Sequence, residues 1–106
     1  MILKRFIKKI IFVFTMSSII RISESNLPTE FGDFKCIAYE DSNKGQHLAL
    51  VKGKLNSSPT FVRVHSQCLT GDTLGSVRCD CGEQLNLALK IISKKEGVLL
   101  YLQQEG

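Results

Sequence analysis

Three cysteines lie close together in the second half of this 106-residue chain. Ten residues separate Cys68 from Cys79, and Cys81 follows two positions later. Thiolates are soft ligands suited to zinc, and three of them leave one tetrahedral position open for water, as in catalytic rather than structural zinc sites. The spacing therefore predicts one zinc ion of the catalytic type, which would make water nucleophilic near neutral pH.

The neighbours of these cysteines favour a metal site, although the spacing alone leaves alternatives open. Arg78 stands beside Cys79 and favours its thiolate form, and a helix predicted to begin near Gly82 directs its positive end to the same place. The alternatives are small buried thiols or, in an exported protein, disulfides. His65 is an alternative fourth ligand, but a histidine on a strand is more often hydrogen-bonded in the core. Cys36 is interpreted as a small buried residue.

Alternating apolar residues and turn-forming clusters predict the strands that must position these side chains. Strands are expected at 31–39, 47–52, 60–66 and 98–102. In the third of these, Arg63 and His65 share one face because side chains alternate along a strand. A turn-like lead-in is expected at 26–29, where Pro28 biases the residue before it toward extended geometry.

One amphipathic helix is predicted at 82–95. Its apolar stripe recurs at helical spacing and consists of Leu85, Ala88, Leu89 and Ile92. Asp80 followed by Glu83 has the spacing of a capping box, with Asp in place of the usual Ser or Thr. Asp72 and Asp80 are therefore interpreted as a turn residue and a helix cap, and not as a catalytic pair.

The order of the elements predicts an α+β fold. Hairpin-length loops join the first strands, whereas a helix joins the last two, which favours a parallel pair with a right-handed crossover. We expect a mostly antiparallel sheet with one strand–helix–strand crossover, forming an incomplete domain at 19–106. In such a domain, the strand at 98–102 is expected to leave an unpaired edge.

The net charge of +4 comes from the first nine residues, through Lys4, Arg5, Lys8 and Lys9. The rest of the chain carries ten basic and ten acidic side chains, so a nucleic-acid partner, which requires a basic folded face, is not expected. Residues 1–18 are predicted to be a leader outside the domain. Its apolar run is too short to cross a bilayer, so membrane association is not expected; a signal peptide, a frayed leader and a misplaced start remain alternatives.

The run RVHSQCLTGDTLGSVRCDCGEQL at 63–85 closely resembles the zinc-binding signature of the GTP cyclohydrolase II family. LPTEFGDFKCIAYED resembles the start of that domain, and GVLLYLQQEG resembles a later strand of it. The resemblance implies zinc-dependent hydrolysis of GTP to formate, pyrophosphate and a diaminopyrimidinone ribosyl phosphate in riboflavin biosynthesis, with Mg²⁺ assisting. It also implies a cytoplasmic protein, since GTP is intracellular and zinc thiolates need reducing surroundings.

The resemblance assigns roles to individual residues. Cys68, Cys79 and Cys81 match the zinc thiolates of the family. Gln84 matches a residue that reads the guanine. The remaining expected GTP contacts are Arg63, Val64, His65, Ser66, Gln67, Glu105 and Gly106. No catalytic residue is expected in this chain, because the general base and the arginine nucleophile of the family lie beyond its C-terminus.

Three departures from the family pattern qualify the prediction. Gln67 stands where the family often has Glu, and Gln103 stands where it often has Arg. The chain also ends at Gly106, before the arginine that usually follows. We therefore expect this chain alone to be inactive, and the alternative function is an inactive fragment that binds zinc or nucleotide. A homodimer or a separately encoded second half is the expected protein partner.

Overall fold

The computed structural model describes residues 19–55 and 60–103. Within them the chain forms five strands and two helices in the order β1 (Ile20–Thr29), β2 (Gly32–Glu40), β3 (Gln46–Lys52), β4 (Phe61–Ser66), α1 (Leu69–Asp72), α2 (Cys81–Lys94) and β5 (Gly97–Leu102). Four strands and the long helix were predicted; β1 and the short α1 were not. Over the described ranges, neither helix is long and apolar enough to cross a membrane.

The five strands form one sheet in the order β1-β2-β3-β5-β4. The first three pairings are antiparallel. Strands β4 and β5 pair in parallel, and the connection between them contains α2. This confirms the predicted α+β class and its crossover. The expected unpaired edge at 98–102 is wrong, because β5 lies between β3 and β4. Both partners of β5 precede it in the chain, so its pairing needs no later element.

Strand β1 corrects the predicted turn-like lead-in at 26–29. This segment is extended and pairs with β2, with Pro28 opposite Asp33. Proline has no backbone N–H to donate to a neighbouring strand. It is tolerated in β1 because β1 is an edge strand, with a neighbouring strand on only one side in the described sheet. Leu27 is extended, as the following proline requires.

The core lies between α2 and one face of the sheet. Ala88 and Ile92 of the helix pack with buried apolar residues of β2, β3 and β5, which are Phe34, Leu50 and Leu99. Leu85 and Leu89 complete the predicted stripe at the margin of this cluster. Cys36 packs there as well and is half-buried, and burial raises the pKa of its thiol. The helix is therefore held by an apolar stripe of 3.6-residue periodicity.

Gly97 determines where β5 can begin. A Cβ atom at this position would lie 2.7 Å from the carbonyl oxygen of Phe61. Only glycine therefore lets β5 leave the helix and start directly beside β4, at the pair Phe61–Gly97. From this pair the two strands run in parallel to the pair Ser66–Leu102.

Candidate metal centre

The three cysteines of the sequence motif meet where β4 ends and α2 begins. Cys68 is the N-cap residue of α1, and Cys81 is the first residue of α2. Their sulfurs and that of Cys79 all lie within 4.8 Å of one another, and Sγ of Cys68 lies 3.7 Å from Sγ of Cys79. Zinc–sulfur bonds of about 2.3 Å in a tetrahedron place sulfurs about 3.8 Å apart. The donor set therefore fits a single zinc ion.

The sulfurs of the cluster are arranged as free thiols and not as a disulfide. A disulfide needs about 2.05 Å between sulfurs, whereas the Cys68 and Cys79 sulfurs lie 3.7 Å apart. Over the described residues all four cysteines are free and each is half-buried. Three convergent thiols that are partly accessible suit metal binding better than they suit an apolar core.

Two glycines let the cysteine-bearing segments approach one another. A Cβ atom on Gly71 would lie 2.7 Å from Sγ of Cys79 and 3.4 Å from Sγ of Cys68. A Cβ atom on Gly82 would lie 2.5 Å from the carbonyl oxygen of Gly71. Contacts this short are not tolerated, so both positions need glycine for steric reasons. The first turn of α2 thus rests directly on α1.

The ionisation of the thiols is uneven. Hydrogen bonds from the Gly71 N–H, and then from Thr70 and the other two thiols, lower the pKa of Cys68. The Cys81 thiol donates to the sulfurs of Cys79 and Cys68, which raises its pKa to about 12. The Cys68 thiol therefore ionises more readily than the Cys81 thiol, because their pKa values are shifted in opposite directions. A cation among the sulfurs would favour ionisation of all three.

Asp72 lies at the centre of a buried hydrogen-bond network beside the cysteines. Its carboxylate accepts from the Tyr101 hydroxyl at 2.7 Å, from the Cys68 N–H at 3.0 Å and from Nε2 of His65 at 3.0 Å. The rings of His65 and Tyr101 stack with centroids 5.6 Å apart. Burial raises the pKa of Asp72, but the three hydrogen bonds outweigh it and the net pKa is lowered. Asp72, which was interpreted as a turn residue, ends the one-turn helix α1 and has a buried carboxylate.

Two of the expected GTP contacts lie together on the exposed surface. The Arg63 guanidinium donates to Oε1 of Gln84 at 3.1 Å. Nε2 of Gln84 donates to the Asp80 carboxylate at 2.8 Å. Asp80 is the N-cap residue of α2, but its side chain makes no bond to a backbone N–H there, so the predicted capping box is wrong. This polar chain links the edge of β4 to the segment between Cys79 and Cys81.

The other expected GTP contacts are placed differently. His65 is buried against Asp72, and the described group that could hold a metal contains the cysteines without it. Val64 and Ser66 point to the opposite face of β4 and are half-buried. Gln67 follows the strand, and its N–H donates to the Leu102 carbonyl at 2.7 Å. Glu105 and Gly106 lie outside the described residues, as does the predicted leader.

A surface concavity of about 980 Å³ lies away from the cysteines. It is formed by β1, β2, β3 and the residues after β3, and none of the described site residues lines it. Two of its lysines are already engaged: Lys52 donates to the Asp33 carbonyl, and Lys35 lies near Glu24. We therefore place the site at the cysteines.

The fold and the cysteine cluster together define a small α+β domain with three convergent thiols that could hold a metal ion. The GTP cyclohydrolase II family model matches residues 20–106, and the chain belongs to this family. The resemblance that the sequence suggested is thereby confirmed.

Similar proteins agree with this family. Riboflavin biosynthesis protein RibBA of Chlorobium phaeovibrioides is 54% identical over an alignment of 89 residues, and the match covers 81% of this chain. RibBA of Bacillus cytotoxicus is 55% identical over an alignment of 86 residues, and the match covers 78% of the chain. The chain spans only 22% of the length of either relative.

One solved structure also resembles the fold. It is RibBX, a two-domain 3,4-dihydroxy-2-butanone 4-phosphate synthase from A. baumannii, with a TM-score of 0.54 and 25% identity. The match covers 98% of this chain and 31% of RibBX.

Proposed function

We propose that this chain forms the zinc- and GTP-binding part of a GTP cyclohydrolase II that acts in riboflavin biosynthesis. The observation that carries the proposal is the convergence of three sulfurs within 4.8 Å beside the exposed Arg63–Gln84 pair. The family and the RibBA relatives support the same activity. The proposed reaction hydrolyses GTP to formate, pyrophosphate and a diaminopyrimidinone ribosyl phosphate.

The residues that would hold zinc are Cys68, Cys79 and Cys81. When bound, zinc supplies Lewis acidity and makes water nucleophilic near neutral pH, as opening a purine ring requires. Gly71 keeps the space between the sulfurs free of side chains. The cysteine segments thus bind the ion and leave one side of it for substrate.

Gln84 and Arg63 would orient the substrate. An amide side chain carries both a donor and an acceptor, the pair needed to match a guanine edge. In this structure the Gln84 amide is hydrogen-bonded to Arg63 and Asp80. Guanine would therefore replace these residues as its hydrogen-bond partner. The Arg63 guanidinium has several N–H donors for oxygen atoms of GTP.

Mg²⁺ would enter the site already bound to the phosphates of the substrate. Mg²⁺ prefers oxygen ligands and usually binds through substrate phosphates with few protein ligands. The described group that could hold a metal consists of sulfurs, which do not suit Mg²⁺. A homodimer or a separately encoded second half, and a cytoplasmic location, remain predictions.

The test is to supply the full chain with GTP, Zn²⁺ and Mg²⁺ under reducing conditions and to measure formate and bound zinc. We expect about one zinc per chain, lost in Cys79→Ser and retained in the control Cys36→Ser, whose cysteine lies outside the cluster. Steady formate release would establish turnover by this chain. Retained zinc without formate would support the alternative of a binding fragment, and an inability to retain zinc would refute the metal centre.

A further inference from the structure

The carboxylate of Asp72 is almost completely buried, with 3% of its side chain exposed. It receives hydrogen bonds from three separate parts of the fold. They come from the Tyr101 hydroxyl in β5, from Nε2 of His65 in β4 and from the backbone N–H of Cys68. A carboxylate has no proton to donate, so all three partners must donate to it. Such a network is sterically and electrostatically specific, because no neutral side chain accepts from three donors in the same way.

The network reaches the cysteine cluster through the backbone. The Cys68 N–H donates to Oδ2 of Asp72, the oxygen that also accepts from Tyr101. The preceding residue is fixed to the same strand, because the Gln67 N–H donates to the Leu102 carbonyl. The backbone that carries the Cys68 sulfur is thus linked to β5 directly at Gln67 and through the Asp72 carboxylate at Cys68.

We propose that Asp72 is a positioning residue that fixes Cys68 in place to share an ion with Cys79 and Cys81. The inference rests on the proposed metal centre and assigns Asp72 no contact with the ion. Its carboxylate is outside the group of atoms that could hold a metal. It also accepts a hydrogen bond from Nε2 of His65.

Asp72→Asn is the informative substitution, because it keeps the shape and loses one acceptor. The amide NH₂ must face either His65 or the pair of donors from Cys68 and Tyr101, since both carboxylate oxygens are occupied. Tyr101→Phe removes a single donor and leaves the carboxylate. Asp80→Asn is the matched control. It removes the same charge from a residue that lies between Cys79 and Cys81, but the carboxylate that it replaces contacts Gln84.

The experiment titrates the full chain with Co²⁺ under reducing conditions and follows the thiolate-to-cobalt absorption. Asp72→Asn should lower Co²⁺ affinity by roughly 10- to 100-fold, the usual effect of losing a group that orients a metal ligand. Tyr101→Phe should lower it less, and Asp80→Asn should stay within about twofold of the wild type. Circular dichroism of each variant reports whether the fold is retained.

Amide hydrogen exchange at Cys68 provides a readout without metal. It should become faster in Asp72→Asn than in Asp80→Asn. Wild-type affinity in both Asp72→Asn and Tyr101→Phe would overturn the inference while leaving the metal centre intact. An equal loss in Asp80→Asn would overturn it too, because charge alone would then explain the effect. Should Asp72→Asn fail to fold, Tyr101→Phe decides alone. A wild-type chain that binds no cobalt would overturn the metal centre and the inference together.

Discussion

Gly71 lies at the point where the three sulfurs meet, and its lack of a side chain determines their separation. A Cβ atom there would come within 2.7 Å of Sγ of Cys79 and 3.1 Å of Cβ of Cys81. The sulfurs would have to move apart to admit it. Since a shared ion requires sulfurs about 3.8 Å apart, even a methyl group should affect binding of the metal.

We predict that Gly71→Ala lowers zinc affinity by roughly 10- to 100-fold, in the range seen when the support of metal ligands is disturbed. Competition with a chromophoric chelator measures this affinity. Gly97→Ala is the matched control: its Cβ would meet the Phe61 carbonyl, far from the sulfurs, so it should reduce stability but leave zinc binding by the folded chain unchanged. Equal zinc affinity in Gly71→Ala and the wild type would contradict the steric argument.

For individual residues, the sequence predicted the metal-ligand role of the cysteines but not the residues that hold them in position. The spacing of Cys68, Cys79 and Cys81 indicated a metal site, although buried thiols or disulfides remained alternatives until the resemblance to the family was considered. Asp72 has no such signature, since its role depends on Tyr101, 29 positions later. One local signal was present: Asp72 follows Cys68 by four residues, one helical turn, a spacing that lets its carboxylate reach the Cys68 N–H.

Helix α2 connects the core with the site. Its buried stripe holds it on the sheet, while its first turn carries Cys81 and Gln84. Ile92, near its end, is fully buried and packs with Leu99. The position of the site therefore depends on apolar packing about three turns away.

We predict that Ile92→Ala lowers the free energy of unfolding by about 2–5 kcal/mol, because it removes buried methyl groups and leaves a cavity. Leu87→Ala, on the exposed side of the same helix, should change it by less than about 0.5 kcal/mol. Urea denaturation of both variants in the presence of a chelator measures the difference. Similar effects for the two substitutions would mean that the stripe does not hold the helix.

The elements differ in how far local sequence determined them. Strands β2, β3, β4 and β5 and helix α2 were predicted, because their apolar periodicity follows from burial on one face. Strand β1 was missed because it is largely exposed and contains Pro28, so neither periodicity nor propensity indicates it. The place of β5 inside the sheet also escaped prediction, since strand order depends on contacts distant in sequence.

At the scale of the whole molecule, the carboxylates of Asp41 and Asp72 connect separate elements of the described fold through hydrogen bonds. Asp72 joins β4, β5 and α1 through His65, Tyr101 and the Cys68 N–H. Asp41, after β2, accepts from Nε2 of His47 at 2.8 Å. Nδ1 of the same ring accepts from the Gln103 N–H at 3.1 Å. The end of β5 is therefore held at Tyr101 by Asp72 and, just after the strand, at Gln103 by His47.

Acidification should weaken the fold through these carboxylates. The hydrogen bond from His47, with those of Gly45 and Asn43, lowers the pKa of Asp41, and the pKa of Asp72 is lowered despite burial. A carboxyl whose pKa is lower in the folded than in the unfolded chain stabilises the fold above its unfolded value, here 3.8. That stabilisation is lost as the pH falls through the lower folded pKa.

We therefore predict that the free energy of unfolding falls as the pH drops below the unfolded carboxyl pKa of about 3.8 and through the lower folded pKa values of both carboxylates. Urea denaturation at several pH values, with chelator and reductant, gives this slope. Asp72→Asn should be less stable at pH 6 and should show a shallower loss on acidification, because the titrating group is gone. Asp80→Asn, which removes an exposed carboxylate without these three donors, should retain the wild-type slope. Parallel curves for Asp72→Asn and the wild type would show that the Asp72 network does not couple proton binding to folding.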